Sequence, residues 1–189
     1  MQNRLTMPNK YKIGAHNAAT GEVGSMLSIF LTPFACCQSK SLKELYAAGV
    51  RLFDIRLKRH RNTLYCAHGV WVSNLSAQEL LRPITAILDE PTYFELTYEG
   101  SNPSAEDIAV IKELASWLQS MSPNAIVTRI NRKTPWEAIE TYHPLPYVGD
   151  GVGFLGIHGW RCLLPIPWIW SKLHKPKFSD EKFTYVDFA

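Results

Sequence analysis

Apolar and polar residues alternate along this chain in two periods, and the switches between them predict a succession of strands and helices. A first short strand is expected around Ile13. The run from Ser41 to Ala48 reads as a helix stopped by Gly49, the residue best suited to a left-handed terminus. Val50–Leu57 and Thr63–Ala67 follow as strands. In Ala77–Leu88, Leu80, Leu81, Ile84, Ile87 and Leu88 fall at helical spacing behind a Ser76 cap, with Pro83 expected to kink or shorten the helix. Thr92–Tyr98 is a strand. The clearest helix is Ser104–Met121: Ser104 caps it, Asp107 takes the capping-box position, and Ile108, Ile111, Leu114, Leu118 and Met121 form one stripe. Ala125–Ile130 is the next strand, Thr134-Pro135-Trp136-Glu137 opens another helix, and Val152–Ile157 and Phe183–Phe188 are the last strands.

Strand alternating with helix argues for parallel pairing and an α/β architecture. The chain has 189 residues, whereas a full eightfold barrel takes about 250, so a compact or irregular barrel is expected. No repeat or low-complexity linker interrupts residues 1–189, which read as a single domain. With 46% apolar and 20% charged residues, the composition excludes a disordered tail. A net charge of +3 is too small to argue for nucleic acid, and Lys58-Arg59-His60-Arg61 reads as a solvated loop. The four cysteines show no C-x-x-C spacing, so a zinc knuckle is unsupported and reduced thiols are expected. Cys36 and Cys37 read as buried packing thiols rather than nucleophiles. Neither an apolar signal core nor a membrane-length apolar window appears. The expected location is the cytoplasm or the periphery of a membrane, with secretion of a processed form left open.

Three strand candidates end in ionisable side chains. Lys12-Ile13-Gly14-Ala15 runs into His16-Asn17; Gly49-Val50-Arg51-Leu52-Phe53-Asp54-Ile55-Arg56 carries a carboxylate and a guanidinium; Leu64-Tyr65-Cys66-Ala67 ends in His68-Gly69. Alternation along a strand sends Asp54 and Arg56 to one side with Leu52, and Phe53 and Ile55 to the other. Such a pair is either a structural ion pair or a catalytic one at a strand's carboxyl end. Glu95, Thr97 and Glu99 likewise share a face, as do Phe183, Tyr185 and Asp187. Asp187 is a candidate partner for a histidine, or a strand cap.

The order Gly-x-His-Asn, Gly-Val-Arg-Leu-Phe-Asp-Ile-Arg, His-Gly resembles the X-domain of phosphatidylinositol-specific phospholipases C. Phe53-Asp54-Ile55-Arg56 looks most like the secreted bacterial enzymes. The match runs from Ile13 to Glu99, and Tyr185-Val186-Asp187-Phe188 is similar to the family's last strand; little aligns between Arg129 and Lys182. The resemblance implies a distorted (β/α) TIM-like barrel that cleaves phosphatidylinositol or a related lipid between glycerol and phosphate. His16 would be the general base and His68 the general acid. Arg56 would stabilise the phosphate oxygens, and Asp187 is the candidate for orienting His16. Headgroup contacts are expected from Thr97, Glu99 and Arg129, with Asn131, Lys133 and Tyr147 as further candidates.

Asn17 matches the metal-dependent branch of that family, where asparagine binds calcium. That branch, however, carries a carboxylate where Arg56 stands, and a guanidinium there would repel a divalent ion. No metal or other cofactor is therefore expected, calcium being the alternative. The bacterial pattern has aspartate at Asn17; a neutral amide can orient His68 but cannot raise its pKa, and Asp54 is the candidate for the missing charge. Trp168 and Trp170, followed by Lys172, Lys175 and Lys177, suit a lipid headgroup boundary, or a loop packed into the core. His158 reads as a structural histidine, and His60, His143 and His174 are given no role. A phospholipid and a membrane surface are the implied partners; nucleic acid and protein partners are not implied. Two other readings stand. A glycerophosphodiester phosphodiesterase would open on His-Arg-Gly and carry an acidic metal cluster, so Asn17 and Arg56 count against it. A binding barrel would use Arg56 only as an anion anchor.

Overall fold

The computed structural model describes residues 12–25, 36–100, 102–130 and 183–186. Its α-helices are α1 (Leu42–Ala47), α2 (Ala77–Thr85) and α3 (Ala105–Met121). All three open on the same device. Ser41, Ser76 and Ser104 accept from the N–H of Glu44, Glu79 and Asp107, whose carboxylates accept the serine N–H in return. The sequence predicted α2 as far as Leu88, but it ends at Thr85. Pro83 lies in its last turn and has no N–H to continue the ladder.

Seven strands form one sheet: β1 (Ile13–Ala15), β2 (Val50–His60), β3 (Thr63–His68), β4 (Trp71–Ser76), β5 (Thr92–Tyr98), β6 (Ala125–Ile130) and β7 (Thr184–Val186). The run β7–β1–β2–β5–β6 is parallel, as the strand–helix alternation predicts. The sequence did not reveal that β2 continues to His60, nor that β4 exists, nor that β2, β3 and β4 pair antiparallel. Tight turns explain this pairing. Arg61 (φ 55°) and Gly69 (φ 57°) sit left-handed between paired ends, and connections that short return a chain antiparallel. The architecture is therefore α/β with a mixed sheet, and among the described residues the sheet does not close into a barrel. The helix expected from Thr134 and the strand expected at Val152–Ile157 lie outside the described residues.

The pairing of β2 fixes where the chemistry can sit. Phe53 pairs with both Ala15 and Phe94, and Leu57 with both Cys66 and Tyr98. A strand residue has one neighbour on each side, so β5 takes one edge of β2 while β1 and β3 share the other. β1 runs with β2 and β3 runs against it. Their carboxyl ends therefore point at each other across the part of β2 that carries Asp54, Ile55 and Arg56.

The two faces of β2 separate the core from the site. Phe53, Ile55 and Leu57 join Phe94 and Leu96 in the apolar core, packed with Leu42, Leu45, Leu81, Ile84, Ile111 and Leu118. The Phe53 and Phe94 rings stack with centres 5.4 Å apart. Burial of each such side chain stabilises by about 1.5–3 kcal/mol. Asp54 and Arg56 take the opposite face, with Glu95 and Thr97 of β5 in register beside them.

Candidate active site

The chain leaves β1 through His16 and bends sharply at Asn17, whose backbone is left-handed at φ 46°, ψ 49°. Asparagine tolerates that region better than most residues. The bend aims the Asn17 N–H at Asp54 Oδ2, 3.2 Å away. The Thr20 hydroxyl donates to the Asn17 carbonyl at 2.8 Å and accepts from the N–H groups of Cys37 (2.9 Å) and Gln38 (3.1 Å). The Gln38 amide then donates to the His16 carbonyl at 3.0 Å. Cys37 and Gln38 are thereby pinned against the tip of β1. Gly21 permits this approach, because a Cβ there would fall 1.9 Å from the Lys40 carbonyl oxygen.

Asp54 is fully buried, and its Oδ2 lies 3.4 Å from Arg56 Nε and 3.8 Å from His16 Nε2. Arg56 Nη2 lies 3.1 Å from His16 Nε2. A guanidinium can only donate, so this contact requires a lone pair on Nε2 and places the proton of the neutral ring on Nδ1. The other arm, Nη1, lies 3.5 Å from Glu99 Oε2, and Glu99 Oε1 accepts the N–H of Gly69 at 2.8 Å. One carboxylate therefore ties the guanidinium to the turn that follows His68. The imidazoles of His16 and His68 approach edge to face, with centres 6.4 Å apart and planes at 70°. His16 is buried, whereas His68, Arg56 and Glu99 are partly open to solvent.

The Asn17 side chain borders the His16 ring and meets Cys37. Its Nδ2 is 3.3 Å from both ring nitrogens of His16, so it lies against the ring edge, and 3.2 Å from Cys37 Sγ. That sulfur is 3.9 Å from His68 Nδ1. Asn17 Oδ1 is buried and has no hydrogen-bond partner among the described residues. Sequence reasoning missed Thr20 and Gln38, took Cys37 for a packing thiol, and gave Gly69 only as part of the His-Gly motif. No local signal marks the first three, because a turn and a distant segment bring them together. Among the described residues the other buried thiol is Cys66, whose pKa burial pushes up to about 12.

Of the remaining expected site residues, Thr97 is buried beside Arg56, with its hydroxyl 3.4 Å from Glu95 Oε1. Arg129 lies on β6 in register with Glu95, away from the histidine pair in the sheet order. Asp187, Trp168, Trp170, Asn131, Lys133 and Tyr147 lie outside the described residues. Among the described residues no group of three or more His, Cys, Asp or Glu side chains is placed to hold a metal ion. None of their helices is long and apolar enough to cross a membrane. A separate groove lined by Glu22, Leu42, Leu75 and Leu80 contains none of the histidine, arginine or Asp54 groups.

Known structures that share this fold include bacterial phosphatidylinositol-specific phospholipases C. The enzyme from Listeria monocytogenes matches over 95% of this chain and 89% of its own, at a TM-score of 0.58 and 15% identity. A mutant of the Staphylococcus aureus enzyme matches over 96% and 86%, at 0.61 and 11% identity. A further Staphylococcus aureus structure, from work on modulating that enzyme's membrane binding, matches over 98% and 87%, at 0.57 and 12%. No family model matches the sequence, and no curated protein does. At these identities the likeness establishes the fold, in agreement with the resemblance carried by the His16, Arg56 and His68 segments.

Proposed function

We propose that the chain is a metal-independent phospholipase C that cleaves the glycerol–phosphate bond of phosphatidylinositol or a related glycerophospholipid. The observation that carries this reading is the meeting of His16, His68 and Arg56 at the facing tips of β1 and β3, with ring centres 6.4 Å apart. Imidazoles that close can each come within hydrogen-bond reach, about 3 Å, of a different oxygen on one phosphorus. A free imidazole titrates near neutrality, which makes histidine the side-chain type suited to act as base or as acid at one pH.

In this reading His16 Nε2 takes the proton from the headgroup hydroxyl next to the phosphate. That oxygen attacks phosphorus while the bond to the diacylglycerol oxygen breaks, and His68 protonates the departing oxygen. A cyclic phosphodiester and diacylglycerol are the products, and the protons balance between the two rings. Arg56 passes its N–H groups from His16 to the non-bridging oxygens as the lipid enters, stabilising the charge that develops there. Asp54 holds Arg56 in place and supplies negative charge beside His16, while Glu99 fixes the other edge of the guanidinium. The fixed positive charge of Arg56 does the work of a divalent ion. Thr97 and Arg129 are retained as headgroup contacts, Asp187 as the partner of His16, Trp168 and Trp170 as membrane contacts, and a compact TIM-like barrel as the architecture of the whole chain.

One observation favours a second reading, a phosphate-binding barrel without turnover: His16 is buried and its Nε2 is engaged by Arg56. Incubation with phosphatidylinositol and with phosphatidylcholine vesicles, with and without EDTA, separates the two. Diacylglycerol release from the inositol lipid, unchanged by chelator and abolished in His16→Ala and His68→Ala, is expected. Vesicle binding with no release would establish the binding barrel, and calcium-dependent release would overturn the role given to Arg56.

A further inference from the structure

Cys37 is fully buried, yet it packs among polar groups rather than in the apolar cluster that holds Cys66. Its backbone N–H is held by the Thr20 hydroxyl at 2.9 Å, which fixes the direction in which Cβ projects. The sulfur then falls between two nitrogens, 3.2 Å from Asn17 Nδ2 and 3.9 Å from His68 Nδ1. An amide nitrogen can only donate, so sulfur is the acceptor in the first contact. A second N–H, on His68 Nδ1, fits the same electron-rich atom. With its proton donated at Nδ1 towards sulfur, the ring keeps Nε2 for whatever lies on its other side.

We propose that Cys37 is a positioning residue for His68: its sulfur accepts the Nδ1–H of the imidazole, fixes the ring's orientation and stabilises the imidazolium. Asn17 acts one step further back, by anchoring that sulfur. Asn17 is neutral, so a polarisable thiol, not a carboxylate, is the group it presents to the ring. The assignment of His68 as the proton donor rests on the phospholipase reading; the hold of Cys37 on the ring does not.

The experiment titrates His68 by ring-nitrogen NMR in the protein without lipid, in wild type, Cys37→Ala and Cys37→Ser. Exposed His60 serves as the internal reference, and thermal melts confirm folding. Cys37→Ala is expected to lower the pKa of His68 and raise its Nε2–H tautomer fraction, leaving His60 unmoved. Cys37→Ser, whose hydroxyl can accept the same N–H, is expected to fall between the two. If the chain cleaves phosphatidylinositol, kcat in Cys37→Ala drops about five- to tenfold, the equivalent of one net hydrogen bond, with KM unchanged and the basic limb of the profile moved to lower pH. A wild-type chain inactive on every lipid, but with His68 shifted in the variants, would remove the enzymatic reading and leave the positioning intact. An unmoved His68 in Cys37→Ser, or in a folded Cys37→Ala, would overturn the proposal whatever the activity.

Discussion

The guanidinium of Arg56 donates to Nε2 of His16 across 3.1 Å, so before any substrate arrives the basic nitrogen is covered by a cation. An anionic phosphate is the ligand that would draw the arginine away and uncover it. Replacing Arg56 with Ala is expected to lower kcat by about 10²–10³, as loss of a preorganised charge does at other oxyanion sites. Arg56→Lys should recover only part of this, because an ammonium keeps the charge but loses the planar fork. Initial rates of diacylglycerol release measure both, and an Arg56→Ala variant at wild-type rate would exclude Arg56 from the reaction.

Asp54 has no exposed surface and faces the Nε of a partly buried arginine at 3.4 Å. Asp54→Asn leaves that guanidinium without its deepest counter-charge. It is expected to destabilise the protein by about 2 kcal/mol, below the usual figure for a fully buried pair because Arg56 retains some contact with solvent. Urea unfolding midpoints test this. The same variant should lose activity beyond what its stability explains, since the backbone N–H of Asn17 loses its charged acceptor as well.

The capping boxes make stability depend on pH in the acid range. Hydrogen bonds from the Ser104 N–H and hydroxyl, then from Arg59, hold the Asp107 carboxyl below its ordinary value. Bonds from Ser41 and Ser76 do the same for Glu44 and Glu79. A carboxyl with a depressed pKa in the folded state contributes stability that is fully present above its unfolded value of about 4 and is lost as pH falls through the folded one. Asp107→Asn should therefore be less stable than wild type at neutral pH, with a flatter acid limb, the two curves drawing together as pH falls through the depressed folded-state value of Asp107. Parallel unfolding curves across that range would contradict the assignment.

Gly21 offers a test of how the 36–38 segment reaches the site. Its absent Cβ would meet the Lys40 carbonyl oxygen at 1.9 Å, a clash with backbone that a rotamer change cannot relieve. Gly21→Ala is expected to push this segment off the Asn17 turn and reduce both thermal stability and lipid turnover. The His16–Arg56 contact, built on β1 and β2, should persist. Amide exchange at Cys37 and Gln38, whose N–H groups bond Thr20, should rise ahead of exchange in β2.

The strands that carry His16, Arg56 and His68, and the sidedness of Asp54 and Arg56, were legible because they depend on local period and on strand ends. The three serine caps were legible in part for the same reason, Ser104 with Asp107 most clearly. The antiparallel meander was hidden because its turns, at Arg61-Asn62 and Gly69-Val70, are too short to stand out from apolar alternation on either side. The place of Cys37 was hidden by distance along the chain: a buried thiol in the core and one beside an imidazole look alike in sequence. Nothing in Leu64–His68 reveals that β3 ends against β1, since that follows only from which edge of β2 each strand occupies.

That shared edge gives β2 the character of a ruler. The gap between the two imidazoles is graduated by the rise of one strand, about 3.3 Å per residue, and not by the loops that join the strands. Insertions in those loops should leave the spacing alone. Adding or removing one residue between Phe53 and Leu57 would reset it by a full division and turn Arg56 to the wrong side.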